Sequence, residues 1–197
     1  VIDPQELVNW DRARQVELQR ALAQAASRAE GFAYMGYRMT EAWQAGVPDT
    51  ALGRFYSELR SERTLDVVRR ITGASTFDNV FAQATDYRPG HYLTRHLDDP
   101  KGELRKFAFV WGFTRTWDPD WGGLLQFYND EAEPTYSYSP GFNTLDLFDV
   151  RHVHSVTLVA PAVRKRSMTA CTSDSGAEAP AVTPICSRPA SQASSMS

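Results

Sequence analysis

Apolar residues near the start of the chain fall at helical intervals. Between Asp11 and about Ala29, Leu18, Leu22, Ala25 and Ala29 recur at steps of three and four among Arg, Glu and Gln. Such spacing gathers one apolar stripe on a single face of an amphipathic helix. Gly31 ends the segment, and Phe32-Ala33-Tyr34-Met35-Gly36-Tyr37 has the aromatic content of a strand. A second helical stretch follows Pro48, with Leu59, Leu65, Val68 and Ile71 or Thr72 on one side and Gly73 as its stop. Both helices read as scaffold.

Beyond Ser75 the pattern changes. Short runs rich in Val, Phe, Tyr, Trp and Thr alternate with turn clusters such as Arg88-Pro89-Gly90, Asp118-Pro119-Asp120, Gly122-Gly123 and Ser139-Pro140-Gly141. Strands are expected over 107–114, 124–128, 144–148, 152–159 and 164–169. Helices first and strands afterwards predict an α+β chain whose body is a sandwich or barrel, with helical support over about 1–75 and the β core over about 76–171. From Thr172 to Ser197 the residues are mainly Ser, Ala, Pro and Thr, too poor in large apolar groups to offset the entropy of ordering, so a mobile tail is expected.

Composition narrows the picture. At 197 residues, 42% of them hydrophobic, the chain has material for one sizeable core, and a single domain is expected. A formal net charge of -3 gives no basic field, so nucleic acid is not an expected partner. No apolar run has the length of a membrane span, and the first residues lack a basic-then-apolar leader; neither membrane nor export is expected. Cys171 and Cys186 sit in no ligand spacing, which suits two free thiols in a cytoplasmic protein.

The candidate chemistry lies with four histidines, His91, His96, His152 and His154. In His96-Leu97-Asp98, an extended backbone projects the imidazole and the carboxylate to one side while Leu97 turns to the other. A distant histidine, His152 or His154, would complete two imidazoles and one carboxylate on one face of a metal, leaving positions open for co-substrate and oxygen, as non-haem Fe(II) oxygenases require. After His154 comes Arg164-Lys165-Arg166 and then Ser167-Met168-Thr169, where a cation on a strand could grip a dicarboxylate chelating the same metal.

Four blocks, in order, resemble the prolyl 4-hydroxylase-like 2-oxoglutarate/Fe(II) dioxygenases. They are Asp86-Tyr87-Arg88-Pro89-Gly90-His91-Tyr92-Leu93-Thr94-Arg95-His96-Leu97-Asp98-Asp99, Trp121-Gly122-Gly123-Leu124-Leu125-Gln126-Phe127-Tyr128, Phe142-Asn143-Thr144-Leu145-Asp146-Leu147-Phe148, and His154-Ser155-Val156. The resemblance implies a double-stranded β-helix (jelly roll) with supporting N-terminal helices. It implies His96, Asp98 and His154 as iron ligands, and Fe(II), 2-oxoglutarate and O2 as reactants, with ascorbate as an accessory reductant. Lys165, with Ser167 beside it, matches the co-substrate anchor; a shift of one residue would substitute Arg164 or Arg166. Tyr87 and Tyr92 match tyrosines lining the co-substrate pocket, and Leu97, Leu125 and Phe148 are expected to furnish the apolar shell. The implied activity is hydroxylation of a C–H bond, with a prolyl residue of a protein or peptide as the leading substrate, held by loops around 99–106 and 114–123. A cupin-like metal enzyme without 2-oxoglutarate and a non-catalytic β-helix binding module are the competing readings. One departure stands out: where relatives continue with Gly-Trp, this chain has Ala170-Cys171.

Overall fold

The computed structural model of the chain describes residues 9–28, 30–46, 49–74, 79–98, 105–164 and 167–175. The strands form two five-stranded antiparallel sheets. In one, the order is β1 (Phe32–Ala33), β4 (Tyr92–His96), β9 (His154–Val156), β6 (Leu125–Tyr128) and β7 (Pro134–Tyr138). In the other it is β2 (Met35–Arg38), β3 (Val80–Tyr87), β10 (Ser167–Ser175), β5 (Arg105–Phe113) and β8 (Phe142–Asp149). From β3 onward the chain crosses between sheets at every step except the β6–β7 hairpin, which is the winding of a double-stranded β-helix.

The helices precede β3 and the strands after it, with β1 and β2 set between the first helix and the rest, and the later helices cover one sheet. Asp11 caps α1 (Arg12–Ser27) by accepting the Arg14 amide at 2.8 Å. After α2 (Met39–Gln44), Thr50 caps α3 (Ala51–Leu59) and Ser61 caps α4 (Glu62–Thr72), satisfying amides that the first helical turn leaves unbonded. Gly73 closes α4 with φ 70°, a left-handed conformation that suits glycine. Met39, Tyr56, Leu59 and Leu65 pack on Val80, Ala82, Phe107, Phe109 and Trp111, so the helices bury the outer face of the second sheet. Tyr56, wholly buried, satisfies its hydroxyl by donating to the Val80 carbonyl at 2.7 Å. A second cluster joins Tyr87 to Val159 and Val163, with Leu93, Val156, Trp117 and Trp121 around it.

Several expectations change. The helix expected after Pro48 is two helices, because the Ser61 cap interrupts it. The strand expected over 32–37 is split, β1 joining one sheet and β2 the other. The strand expected over 152–159 shortens to His154–Val156. The tail expected from Thr172 gives way to strand as far as Ser175: β10 pairs with β3 on one side and β5 on the other, and those backbone ladders hold polar residues whatever their side chains. Cys186 and the rest of 176–197 lie outside the described residues.

Candidate metal centre

Strands β4 and β9 run antiparallel, with His96 directly opposite His154 and an irregularity between Leu93 and His96. Facing residues of an antiparallel pair project to the same side of the sheet. The two imidazoles accordingly stand with centroids 4.1 Å apart. Asp98 lies just beyond the end of β4, not within it, so the bend after His96 rather than strict strand alternation brings its carboxylate back to the imidazoles.

Backbone carbonyls set the tautomer of both rings. His96 Nδ1 is 2.9 Å from the Thr94 carbonyl and His154 Nδ1 is 2.9 Å from the His152 carbonyl. A carbonyl only accepts, so each Nδ1 carries the proton and donates it, leaving the Nε2 lone pair unprotonated in the neutral ring. These Nε2 atoms face one carboxylate: His96 Nε2 is 3.5 Å from Asp98 Oδ1, and His154 Nε2 is 3.6 Å from Asp98 Oδ2. Ligand atoms of the three residues lie within 4.8 Å of one another. Two neutral nitrogens and one anionic oxygen on one side of a small space fit a divalent transition metal.

Electrostatics favour the charge states a metal needs at Asp98 and His154, while His96 would have to give up a proton to bind one. Burial is the largest influence on Asp98 and opposes its ionisation. The hydrogen bond with His96 and the positive fields of His154, His96 and Arg105 outweigh it and hold the carboxyl below its usual range. Burial, followed by the field of His96, pushes His154 down to about 4, so it is a neutral imidazole at neutral pH. Burial also works against protonated His96, but the hydrogen bond and charge of Asp98 leave its pKa raised.

An aromatic wall backs the cluster. Phe148 meets His154 edge-on at 4.8 Å, and Phe127 lies 4.9 Å from Phe148 and 6.0 Å from His154. Leu125 is buried on the same strand as Phe127. Leu97 is 49% exposed, so the apolar shell expected of it comes from Phe127 instead. The Leu125/Phe127 alternation in β6, read as one inward face, was the sequence signal for that residue.

The other expected site residues are placed less uniformly. His152 is exposed and serves through its carbonyl; His91 lies apart, accepting the Arg88 amide on Nδ1 at 3.1 Å. Tyr92 is not brought to the cluster: its hydroxyl donates to the carbonyls of Glu30 at 3.1 Å and Leu22 at 3.4 Å, tying the end of α1 to β4. Tyr87 is buried against Tyr34, at 5.4 Å, and stands across from Ser167 in the β3–β10 register. Arg164 is exposed, the side chain of Ser167 is not described, and Lys165 and Arg166 lie outside the described residues.

A jelly roll in which two histidines and an aspartate converge fits the class of non-haem metal oxygenases. Residues 82–173 match the sequence profile of the 2OG-Fe(II) oxygenase superfamily. The chain therefore carries a 2OG-Fe(II) oxygenase domain; it is an oxidoreductase of the dioxygenase kind, and its family implies Fe(II), 2-oxoglutarate and O2. Its fold is that of the prolyl 4-hydroxylases. It superposes on a Pseudomonas putida prolyl-4-hydroxylase with a TM-score of 0.58, 13% identity and 88% of each chain covered. A Trichoplax adhaerens prolyl hydroxylase in complex with a hypoxia inducible factor peptide fragment gives 0.51 at 16% identity, over 84% of this chain and 93% of that one. A viral collagen prolyl hydroxylase from Paramecium Bursaria Chlorella virus-1 gives 0.52 at 12% identity, over 84% and 91%. No curated protein matches the chain significantly. No helix among the described residues is long and apolar enough to cross a membrane.

Proposed function

We propose that His96, Asp98 and His154 hold Fe(II) and that the enzyme hydroxylates a prolyl residue in an extended protein or peptide segment. The observation carrying the metal assignment is the double fixing of tautomers, which aims two Nε2 lone pairs at the space in front of the Asp98 carboxylate. Bound Fe(II), with 2-oxoglutarate and O2, supplies oxidative decarboxylation to succinate and carbon dioxide coupled to insertion of one oxygen atom into a substrate C–H bond. The chain's own residues supply placement. Thr94 and His152 hold the ring orientations, Asp98 brings the negative charge, and Phe127 and Phe148 exclude water from one flank. Lys165, with Ser167 beside it, is assigned to the distal carboxylate of 2-oxoglutarate, on the strength of the resemblance alone.

The prolyl reading draws support from the fold shared with prolyl hydroxylases, one of them held with a peptide. A cytoplasmic setting belongs to the same reading, on the strength of the cysteine spacing in the sequence alone.

An anaerobic visible spectrum of the protein with Fe(II), before and after 2-oxoglutarate, tests the metal site. A metal-to-ligand charge-transfer band that needs both additions and is lost in His154→Ala is expected; a band persisting in that variant would remove His154 from the ligand set.

A further inference from the structure

One row of residues crosses the first sheet in register, from the metal cluster to the sheet's edge: His96, His154, Phe127 and Tyr136. Strand β7 ends that sheet, and all five of its residues are exposed. Its two tyrosines do not point away from the barrel. Tyr136 pairs with Phe127 and Tyr138 with Leu125, and facing residues in an antiparallel pair share a side. Phe127 leans on His154 and Phe148, so the shared side is the one that holds the metal cluster. Tyr138 also touches Phe127 edge-on at 6.0 Å. An aromatic surface thus runs unbroken from His154 through Phe127 to Tyr138, yet Tyr136 remains 67% exposed and Tyr138 46%. A folded chain gains by burying large aromatic faces, and two left open beside a reaction centre mark a surface for something else to cover.

We propose that Tyr136 and Tyr138 form a docking ridge for the peptide substrate, gripping residues that flank the one at the metal. The proposal rests on the peptide reading given above and adds where the flanking chain runs. Two inter-strand steps separate His154 from Tyr136, roughly 10 Å in all. A polyproline II segment rises ~3.1 Å per residue, so about three residues span that interval. The ridge therefore meets the peptide some three positions from the reacting residue. Open tyrosine faces suit such a segment, which binds with little loss of conformational freedom. Charge narrows the occupant further. The turn entering β7 carries Asp130, Glu131 and Glu133, all exposed, while Arg95 lies over the ring of Tyr128 at 5.5 Å. A basic residue in the flank suits both this acidic turn and the tyrosine faces.

The test uses the full chain loaded with Fe(II) and 2-oxoglutarate under anaerobic conditions. Fluorescence anisotropy would follow two short labelled peptides, one alternating proline with arginine and one alternating proline with glutamate. Wild type should bind the arginine peptide more tightly. Tyr136→Ala with Tyr138→Ala should weaken it about tenfold, the scale of a lost pair of aromatic contacts. Tyr136→Phe should retain most of the affinity, and Glu131→Lys with Glu133→Lys should reverse the preference between peptides. The 2-oxoglutarate charge-transfer band should be unchanged in every variant. Equal affinity in the tyrosine double variant, or failure of wild type to bind either peptide while the band is present, would overturn the ridge and leave the metal assignment standing. Absence of the band in wild type would instead overturn the reading on which the ridge rests.

Discussion

Each Nε2 that faces Asp98 owes its free lone pair to a carbonyl two residues earlier on its own chain: Thr94 for His96 and His152 for His154. Neither acceptor is a side chain, so substitution at those positions leaves the hydrogen bond available and the sequence offers little sign of it. The pair His96 and Asp98 was legible from spacing, and His154 from the resemblance. Tyr92 was expected at the co-substrate pocket from the resemblance, which does not report where a phenol points; its hydroxyl goes to Glu30 and to Leu22 of α1. Leu97 was expected in the apolar shell, but β4 ends before it and its side chain stands half exposed. The turn feeding β9 supplies a titration test. Asp149 accepts the Arg151 amide at 2.9 Å and its guanidinium at 2.8 and 2.6 Å, and this pairing lowers its pKa to about 2. The unfolded carboxyl titrates near ~3.9, so the native state favours ionised Asp149 and gains stability that is complete above about pH 4. It is lost as pH falls through about 2. Asp149→Asn should flatten the dependence of the urea midpoint on pH in that window. Because its partner Arg151 is largely solvated, the change should stay within about 1 kcal/mol.

Caps and close approaches decide where elements stop. Ser61 accepts the Thr64 amide at 3.3 Å and opens α4, dividing what apolar periodicity alone reads as one helix. Ser61→Ala should lower stability by about 1 kcal/mol, measured by chemical denaturation, with the metal spectrum unaltered. Gly122 carries a heavier constraint. Its φ is 71°, and a Cβ there would stand 2.0 Å from the Leu158 carbonyl oxygen. The surrounding turn is laced to the segment after β9 by Gly123 N–H to Thr157 O at 3.1 Å and Ala160 N–H to Trp121 O at 2.9 Å. Gly122→Ala should cost about 3 kcal/mol, from unfavourable backbone geometry and the displaced segment together, and should loosen the strand bearing His154. The Gly122-Gly123 pair was readable as a turn; its role as a backbone contact was not, since the partner lies more than thirty residues away. Strand β7 passed unnoticed for a related reason: every residue in it is exposed, so it has no buried alternation to betray it.

The broad plan of the molecule, helices first and β body second, was visible in the change of texture near Ser75. Division into two sheets was not, because pairings such as β3 with β10 join residues some eighty positions apart, which local pattern does not encode. Nor was the continuation of β10 past the expected strand end at Thr169, where ladders on both sides override weak side-chain preference. Its position has a consequence for how the chain is made. β10 fills the gap between β3 and β5, yet it is the last of the described strands in sequence. During synthesis β3 and β5 leave the ribosome with facing edges open, and no earlier segment occupies the space between them. The second sheet closes only once residue 175 has emerged. Until then the nascent protein shows two unsatisfied strand edges to its surroundings, which makes that interval the one most open to edge-to-edge aggregation.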